Sequence, residues 1–485
     1  MSEPIQNPVI YWFRNDLRLS DLPGLARAAA TGRPILPCYI LDDLSPEKWK
    51  RGGASRWWLH HSLASLTVQI HQQGGQLHLA SGDPVTVLAD LAEKTGATDI
   101  YCSRQYEPWA GQLEQRLHSQ LDANGVNLKR YPGNLLWEPE RVRNKAGLPY
   151  KVFTPFWRNC LTLEPPPSAP RDIDKCIWHT EVAIGESLQD WQLTPSSPDW
   201  ASGWSKIWKP GEPRAKSQLE AFLQHKLGGY GHGRDYPSQS NTSMLSAHLH
   251  FGEIAPCRVF QRTKDIVAAE PSLSSDGDKF LSELGWREFS HHLMFHFPHI
   301  PHSAFKTKFD RFPWVGSQEN LQRWQQGQTG YPIVDAGMRE LWATGYMQNR
   351  ARMLAASFLC KHLLIDWRAG QSWFWDTLVD ADIANNASGW QWVAGSGADA
   401  SPYFRIFNPV TQAQKFDEAG EYIKKWVPEL SKLSNKYVHD PSKAPTEILE
   451  QHGVQLGKTY PLPMVDHRYA RQGAMAALGH INAIK

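Results

Sequence analysis

Over the first 135 residues, short apolar runs alternate with segments of helical period, and that alternation leaves few folds open. Val9–Phe13, Ile35–Leu41, Gln76–Ala80, Asp99–Ser103 and Val126–Tyr131 read as five buried strands. Between them, Arg56–His71 carries Leu59, Leu63, Leu66 and Ile70 at helical spacing. Asp83 followed by Pro84 is an N-cap and first-turn pair, and Leu113, Leu117 and Leu121 form a stripe four residues apart. Strands joined through helices pair in parallel, so the pattern predicts an α/β domain built on a doubly wound parallel sheet. The turn after the first run, Arg14-Asn15-Asp16-Leu17-Arg18, holds no GxGxxG, so the nicotinamide-dinucleotide fingerprint is missing where it would have to stand.

The rest of the chain changes period. Pro165-Pro166-Pro167-Ser168-Ala169-Pro170, Ser196-Ser197-Pro198-Asp199 and Lys209-Pro210-Gly211 mark residues 136–214 as a long connector laid over its neighbours. Beyond it, Gln218–Leu227, Asp278–Phe297, Asn320–Gln326, Val334–Thr344, Ala351–Asp366 and Trp373–Val379 read as helices, and no strand is expected. Residues 215–485 are therefore expected to form a large all-α domain. Apolar residues make up 41% and charged residues 21%, which excludes a disordered chain. No apolar run approaches the ~18 residues of a membrane span. Six cysteines without a CxxC argue against a disulfide framework or a cysteine-ligated zinc. Met1–Asn7 lacks a signal-peptide layout, so a cytoplasmic protein is expected. A net charge of +2 does not by itself indicate a nucleic-acid binder.

Several chemical signals fail. There is no P-loop. Gly395–Ala400 fits GxGxxA formally but follows a helical segment rather than a strand. His291, His292, His296, His299 and His302 lack the HExxH glutamate, so core and surface histidines are the plainer reading and no metal is expected. Three segments are denser. Thr242-Ser243-Met244-Leu245-Ser246 places hydroxyls and amides before a helix, which suits a diphosphate as well as a plain cap. Glu283, Trp286 and Arg287 share one helix face. Asp380, Asp382, Asn385, Asn386, Trp390 and Trp392 crowd into 13 residues, where a capping loop is the ordinary alternative. Tryptophan is abundant, at 22 residues, ten of them after residue 280, enough to serve as core, stacking surface and electron donor at once.

Together these segments match one family. The chain resembles the photolyase/cryptochrome flavoproteins, and among them the microbial DNA photolyases for cyclobutane pyrimidine dimers. The resemblance is to the subgroup nearer plant cryptochromes, class III-like, with class I the alternative. The resemblance runs through Trp12–Arg18, Gly233-Arg234-Asp235-Tyr236-Pro237, Trp286-Arg287-Glu288-Phe289, Gly330–Ala336, Trp390-Gln391-Trp392 and Tyr403–Pro409, in order and over nearly the whole chain.

The resemblance implies FAD, folded inside the helical domain. Tyr230 and Thr242, Ser243, Met244, Leu245 and Ser246 look like its phosphate cradle, and Arg287 like a further cofactor contact. Asp382 would accept from the flavin N3–H. Asp380 would lie toward the ribityl side with Arg352 as its ion partner, and Asn386 would face N5. An amide there tolerates the reduced anionic flavin, whereas plant-type cryptochromes carry an acid. For the substrate, Trp286 and Trp392 look like the walls on which a flipped-out dimer stacks, at ~1–3 kcal/mol per base. Glu283 would hydrogen-bond the dimer, Asn349 would assist and Met353 would pack on it. Arg350 and Arg405 would contact phosphates. Trp390, Trp367 and Trp314 match the family's electron-transfer chain, and Trp342 and Tyr403 offer a side branch.

The implied activity is light-driven repair of cyclobutane pyrimidine dimers in DNA by electron transfer from excited reduced FAD, with the cofactor carrying the hard chemistry. The implied partner is UV-damaged DNA and the implied state a monomer. The alternative is a cryptochrome-type blue-light photoreceptor. Asn386, Met353, Glu283 and the absence of a long tail after residue 480 favour the enzyme. For the antenna, Trp57-Trp58-Leu59-His60-His61 favours methenyltetrahydrofolate over a deazaflavin. Two departures stand out: Tyr346 takes the place of a common tryptophan, and Gln348 that of a common histidine beside Asn349.

Overall fold

The computed structural model describes residues 7–163, 176–180, 185–400 and 404–483. These divide into two compact units, Met1–Gly228 with Ser243–Pro298, and Gly229–Thr242 with His299–Lys485. The proline run at 165–170 and Tyr403 lie outside the described residues.

The first unit is built on five parallel strands: β1 (Val9–Phe13), β2 (Ile35–Leu41), β3 (His78–Ser81), β4 (Asp99–Ser103) and β5 (Asn127–Tyr131). Their order is β3-β2-β1-β4-β5. The helices Gly53–Gln72, Pro84–Thr95 and Ala110–Ala123 cross between them. Asp83 caps its helix by accepting from the Val85 N–H at 3.5 Å. The third strand begins later than the expected Gln76, at His78, where its pairing with β2 starts opposite Cys38. One face of the sheet is closed by Leu88, Leu91, Leu113, Leu117 and Leu121, the last three being the leucines whose spacing marked their helix.

Chain order reverses between β1 and β4, and the crevice beyond their carboxyl ends is the usual ligand site of such sheets. Here residues 14–18 fill it. Asp16 is fully enclosed and accepts from Tyr11 Oη (2.9 Å), the Arg14 N–H (2.6 Å) and Ser103 Oγ (2.6 Å). Arg14 pairs with Glu114 at 2.8 Å. Arg18, also enclosed, donates to the carbonyls of Ser20 (3.0 Å), Gly133 (2.8 Å) and Gly252 (2.7 Å). A motif that carries the family resemblance thus fastens the sheet to the helices of the same unit.

The connector is not merely draped. It contains the helix Phe153–Cys160, and buried Trp204 and Trp208 meet Trp57 and Trp58 edge-on, each at 5.4 Å. Trp58 also donates to Glu253 Oε1 at 3.0 Å.

The second unit is helical, with no strand longer than an isolated bridge among the described residues. The expected helix Ala351–Asp366 is interrupted: an α-helix runs over Asn349–Ser357 and a π-turn over Phe358–His362. All five residues of that turn are buried, and a straight α-helix would rotate at least one of them outward. Helices Pro409–Phe416 and His467–Ala483, unforeseen from period alone, complete the unit. Gly395 is the left-handed C-cap of the Ile383–Ala394 helix (φ 91°), which accounts for the GxGxxA match. Among the described residues, no helix is long and apolar enough to cross a membrane.

Candidate functional site

In the second unit, two carboxylates flank the start of the Ile383–Ala394 helix. Asp382 is its N-cap, accepting from the Asn385 N–H at 2.8 Å, and is 8% exposed. Both oxygens of Asp380 accept from Arg352 Nη2, at 3.0 and 2.8 Å. Arg352 Nε donates to the Met347 carbonyl at 2.6 Å, which fixes the guanidinium. Burial opposes the charge on Arg352, but Asp380, Tyr346 and Glu340 more than offset it, and its pKa is held above the ordinary value. Burial pushes the Tyr346 phenol up to about 12, against the pull of Arg352 and a hydrogen bond with Thr242.

Asn386 stands one turn into the same helix. Its Nδ2 donates to the Gln371 carbonyl at 3.0 Å, so the side-chain oxygen is the end left to accept. Gln371 is fully enclosed, yet neither side-chain amide atom has a partner among the described residues. Gln371 is not apparent from the sequence, since one glutamine inside an aromatic-rich helix carries no signal. Asn349 begins the Asn349–Ser357 helix, and its Nδ2 reaches Met353 Sδ at 3.9 Å. Trp392 is half-buried against the core, and Arg405 is exposed. Arg350 is held in place by two contacts. It pairs with Asp235 at 2.9 Å and lies 4.1 Å over the Phe416 ring. Tyr230, buried, opens the helical turn Tyr230–Gly233.

The three tryptophans of the expected electron-transfer chain occupy one unit. Trp390 is buried against Phe374 (5.0 Å) and Trp324 (6.2 Å). Trp367 is enclosed, with Arg368 4.8 Å over its ring. Trp314 rests on Phe312 at 4.4 Å. The indole N–H groups of Trp390 and Trp314 are buried without an acceptor among the described residues. Trp342, 56% exposed, stacks on Trp373 at 5.9 Å and 6°.

In the first unit, the helix Ser274–His296 carries Glu283, Trp286 and Arg287. Trp286 stacks on Phe153 at 3.8 Å and 9°, so one ring face is already covered. Glu283, with 26% of its side chain exposed, pairs with Lys279 at 2.8 Å. Arg287 is tied to Glu288 at 3.0 Å. Glu288 itself is buried and accepts from the backbone N–H groups of Leu136 (2.7 Å) and Trp137 (3.4 Å). Burial raises its pKa, and Arg287 pulls the other way. Met244 adopts φ 56°, and Ser243 Oγ accepts from the Leu245 N–H at 3.4 Å ahead of the short helix Ser246–His250. His292 is a core residue: its Nε2 accepts from the Tyr150 N–H at 3.1 Å, and burial lowers its pKa to about 3.

The chain is 49% identical over 471 residues to a deoxyribodipyrimidine photo-lyase of Agrobacterium fabrum, covering 97% of both. It belongs to the photolyase/cryptochrome family. Within that family, the FAD binding domain of DNA photolyase matches residues 280–480, and the DNA photolyase domain matches residues 9–171. A bacterial class III photolyase from Agrobacterium tumefaciens has the same fold, with a TM-score of 0.92 and 47% identity over 99% of each chain. Cryptochrome-1 of Arabidopsis thaliana is 36% identical over 94% of this chain and 68% of its own. The residues present fit the family's flavin. Asp382 and Asn386 offer acceptors, the Arg352–Asp380 pair is locked in place, and a buried glutamine amide stands unpartnered beside the carbonyl that orients Asn386.

Proposed function

We propose that this protein is a DNA photolyase that reverses cyclobutane pyrimidine dimers in UV-damaged DNA. The observation that carries the reading is Asn386, whose nitrogen is held by Gln371 so that a neutral oxygen is presented. FAD, when bound, supplies the light-driven electron. The protein's own part is to bind, orient and tune. Asp382 accepts a hydrogen bond from the flavin ring, and the Arg352–Asp380 pair fixes the polar edge beside it. Tyr230, Thr242–Ser246 and Arg287 are the proposed further cofactor contacts.

For the substrate, the proposed contacts are Glu283, Trp286, Asn349, Met353, Trp392 and Arg405. Arg350, beside its ion pair with Asp235, and Arg405 are the proposed phosphate contacts. Trp390, Trp367 and Trp314 form the reducing relay. The antenna is methenyltetrahydrofolate near Trp57–His61, with a deazaflavin as the alternative. The protein works as a cytoplasmic monomer, divided at residues 135 and 214 into antenna domain, connector and catalytic domain.

The test is chromatography of a UV-damaged thymine oligonucleotide incubated with reduced holoprotein under blue light and in darkness. Light-dependent recovery of intact thymines is expected. No recovery from bound oligonucleotide with fully reduced cofactor would overturn the repair reading and favour a photoreceptor, the other activity represented among its relatives.

A further inference from the structure

Gln348, 4% exposed, uses its side-chain amide at both ends. Its Oε1 accepts from the N–H groups of Arg350 (2.6 Å) and Ala351 (3.4 Å), capping the Asn349–Ser357 helix. Its Nε2 donates to the Arg234 carbonyl. Its backbone N–H donates to Glu340 Oε2 at 3.3 Å, and Glu340 also accepts from Tyr422 Oη at 2.6 Å. The Arg350–Asp235 ion pair runs alongside at 2.9 Å. One amide therefore joins two stretches distant in sequence. Residues 229–242 carry Tyr230 and Thr242. The helix carries Asn349, Arg352 and Met353.

We infer that Gln348 is a positioning residue that couples the segment serving the cofactor phosphates to the helix serving the dimer, and that glutamine keeps this coupling independent of pH near neutrality. The identity of the two ligands rests on the photolyase reading; the link between the two stretches does not.

The chemistry of the position explains the choice of residue. An amide presents one acceptor and one donor in a single uncharged group. A carboxylate would keep the cap but set an oxygen against the Arg234 carbonyl. A neutral imidazole offers a donor and an acceptor, but an imidazolium offers two donors and loses the cap. Its ordinary pKa is ~6.5. The ionisable groups around the site are Glu340 and Tyr422 from neighbouring helices, Arg234 and Asp235 from the joined segment, and Arg350 and Arg352 from the capped helix. Glu340 would favour an imidazolium, and the arginines would oppose it.

The experiment compares holoprotein of wild type, Gln348→Glu and Gln348→His. It follows amide hydrogen exchange in 229–242 and 348–357, the rate of FAD release, and affinity for a thymine-dimer oligonucleotide. Gln348→Glu is expected to speed exchange in both segments together by about tenfold, with faster FAD release and weaker dimer binding. Gln348→His should match wild type at pH ~8 and behave like the glutamate variant at pH ~5.5, each compared with wild type at the same pH. Loosening of one segment alone, or a histidine variant whose profile runs parallel to wild type, would overturn the inference. If Gln348→Glu does not fold, the histidine variant at two pH values carries the test within one protein. A wild type that reverses no dimers while both segments still respond together would sink the photolyase reading and leave the coupling standing.

Discussion

Replacing Lys361 with methionine is expected to stabilise the second unit at pH 7 by about 3 kcal/mol. Lys361 is 1% exposed, and its ammonium has no hydrogen-bond partner among the described residues. Its Nζ lies 3.0 Å from the centre of the Phe404 ring. Burial lowers its pKa from 10.5 to about 7. At ~1.4 kcal/mol for each factor of ten in proton affinity, that fall corresponds to about 5 kcal/mol against the charged form. The ring contact returns about 2 kcal/mol, which leaves about 3. The sign follows from proton counting. Between the lowered folded-state pKa and 10.5 the unfolded chain holds the Lys361 proton and the folded chain does not, so stability rises with pH across that window. Below pH 7 both states are charged and the full penalty applies. Methionine keeps the length and apolar contacts without the charge. The assay is urea unfolding of wild type and Lys361→Met at pH 7 and pH ~9.5, following the same transition with unchanged m-value. The difference between the two proteins should shrink by most of its value at the higher pH. A variant less stable than wild type at pH 7, with the same gap at pH ~9.5, would refute the reasoning and make the cation a net stabiliser.

Three further outcomes follow from the packing and the proposed chemistry. A Cβ on Gly370 would lie 2.1 Å from Trp390 Cη2, so Gly370→Ala should lose about 1–3 kcal/mol to overpacking, more than the ~1 kcal/mol gained in helix propensity, and should slow flavin photoreduction by displacing Trp390. Melting and photoreduction kinetics check this, and a more stable variant would contradict it. Asp335, fully enclosed, accepts from Thr329 N–H and Oγ1 (both 2.7 Å), the Gly330 N–H (3.1 Å) and Tyr460 Oη (2.7 Å), so Asp335→Ala should cost about 3 kcal/mol or more in urea unfolding. Glu283→Ala should bind dimer-containing DNA near wild-type affinity yet repair it with a quantum yield lower by at least about tenfold, the worth of one charge-assisted hydrogen bond; an unchanged yield would remove Glu283 from the chemistry.

Much of the site was legible because its residue types are rare in combination. The Asp380–Asn386 cluster and its neighbouring tryptophans stood out in the chain, and the structure brings Asp380 and Arg352 into contact across 28 positions of sequence. What could not be read were roles set by partners. Asp16, Glu288 and Asp335 lie in motifs that carry the family resemblance, yet each is a buried acceptor for backbone or hydroxyl donors of its own unit. Gln371 carries no signal in the sequence, and Gln348 stands out there only as a departure without a role, for the same reason: a glutamine declares its function only through what faces its amide.

Apolar runs and helical period by themselves determined the five strands and the longer helices of the first unit, because side-chain burial repeats every two or 3.6 residues whatever lies opposite. Only the tertiary structure decided the strand order β3-β2-β1-β4-β5, the filling of the sheet's crevice by Arg14, Asp16 and Arg18, and the π-turn at Phe358–His362. Each depends on which distant group supplies the hydrogen bond or the packing surface. Local pattern marks that a residue is buried, but only the folded chain supplies the partner that makes burial of a charge or an amide affordable.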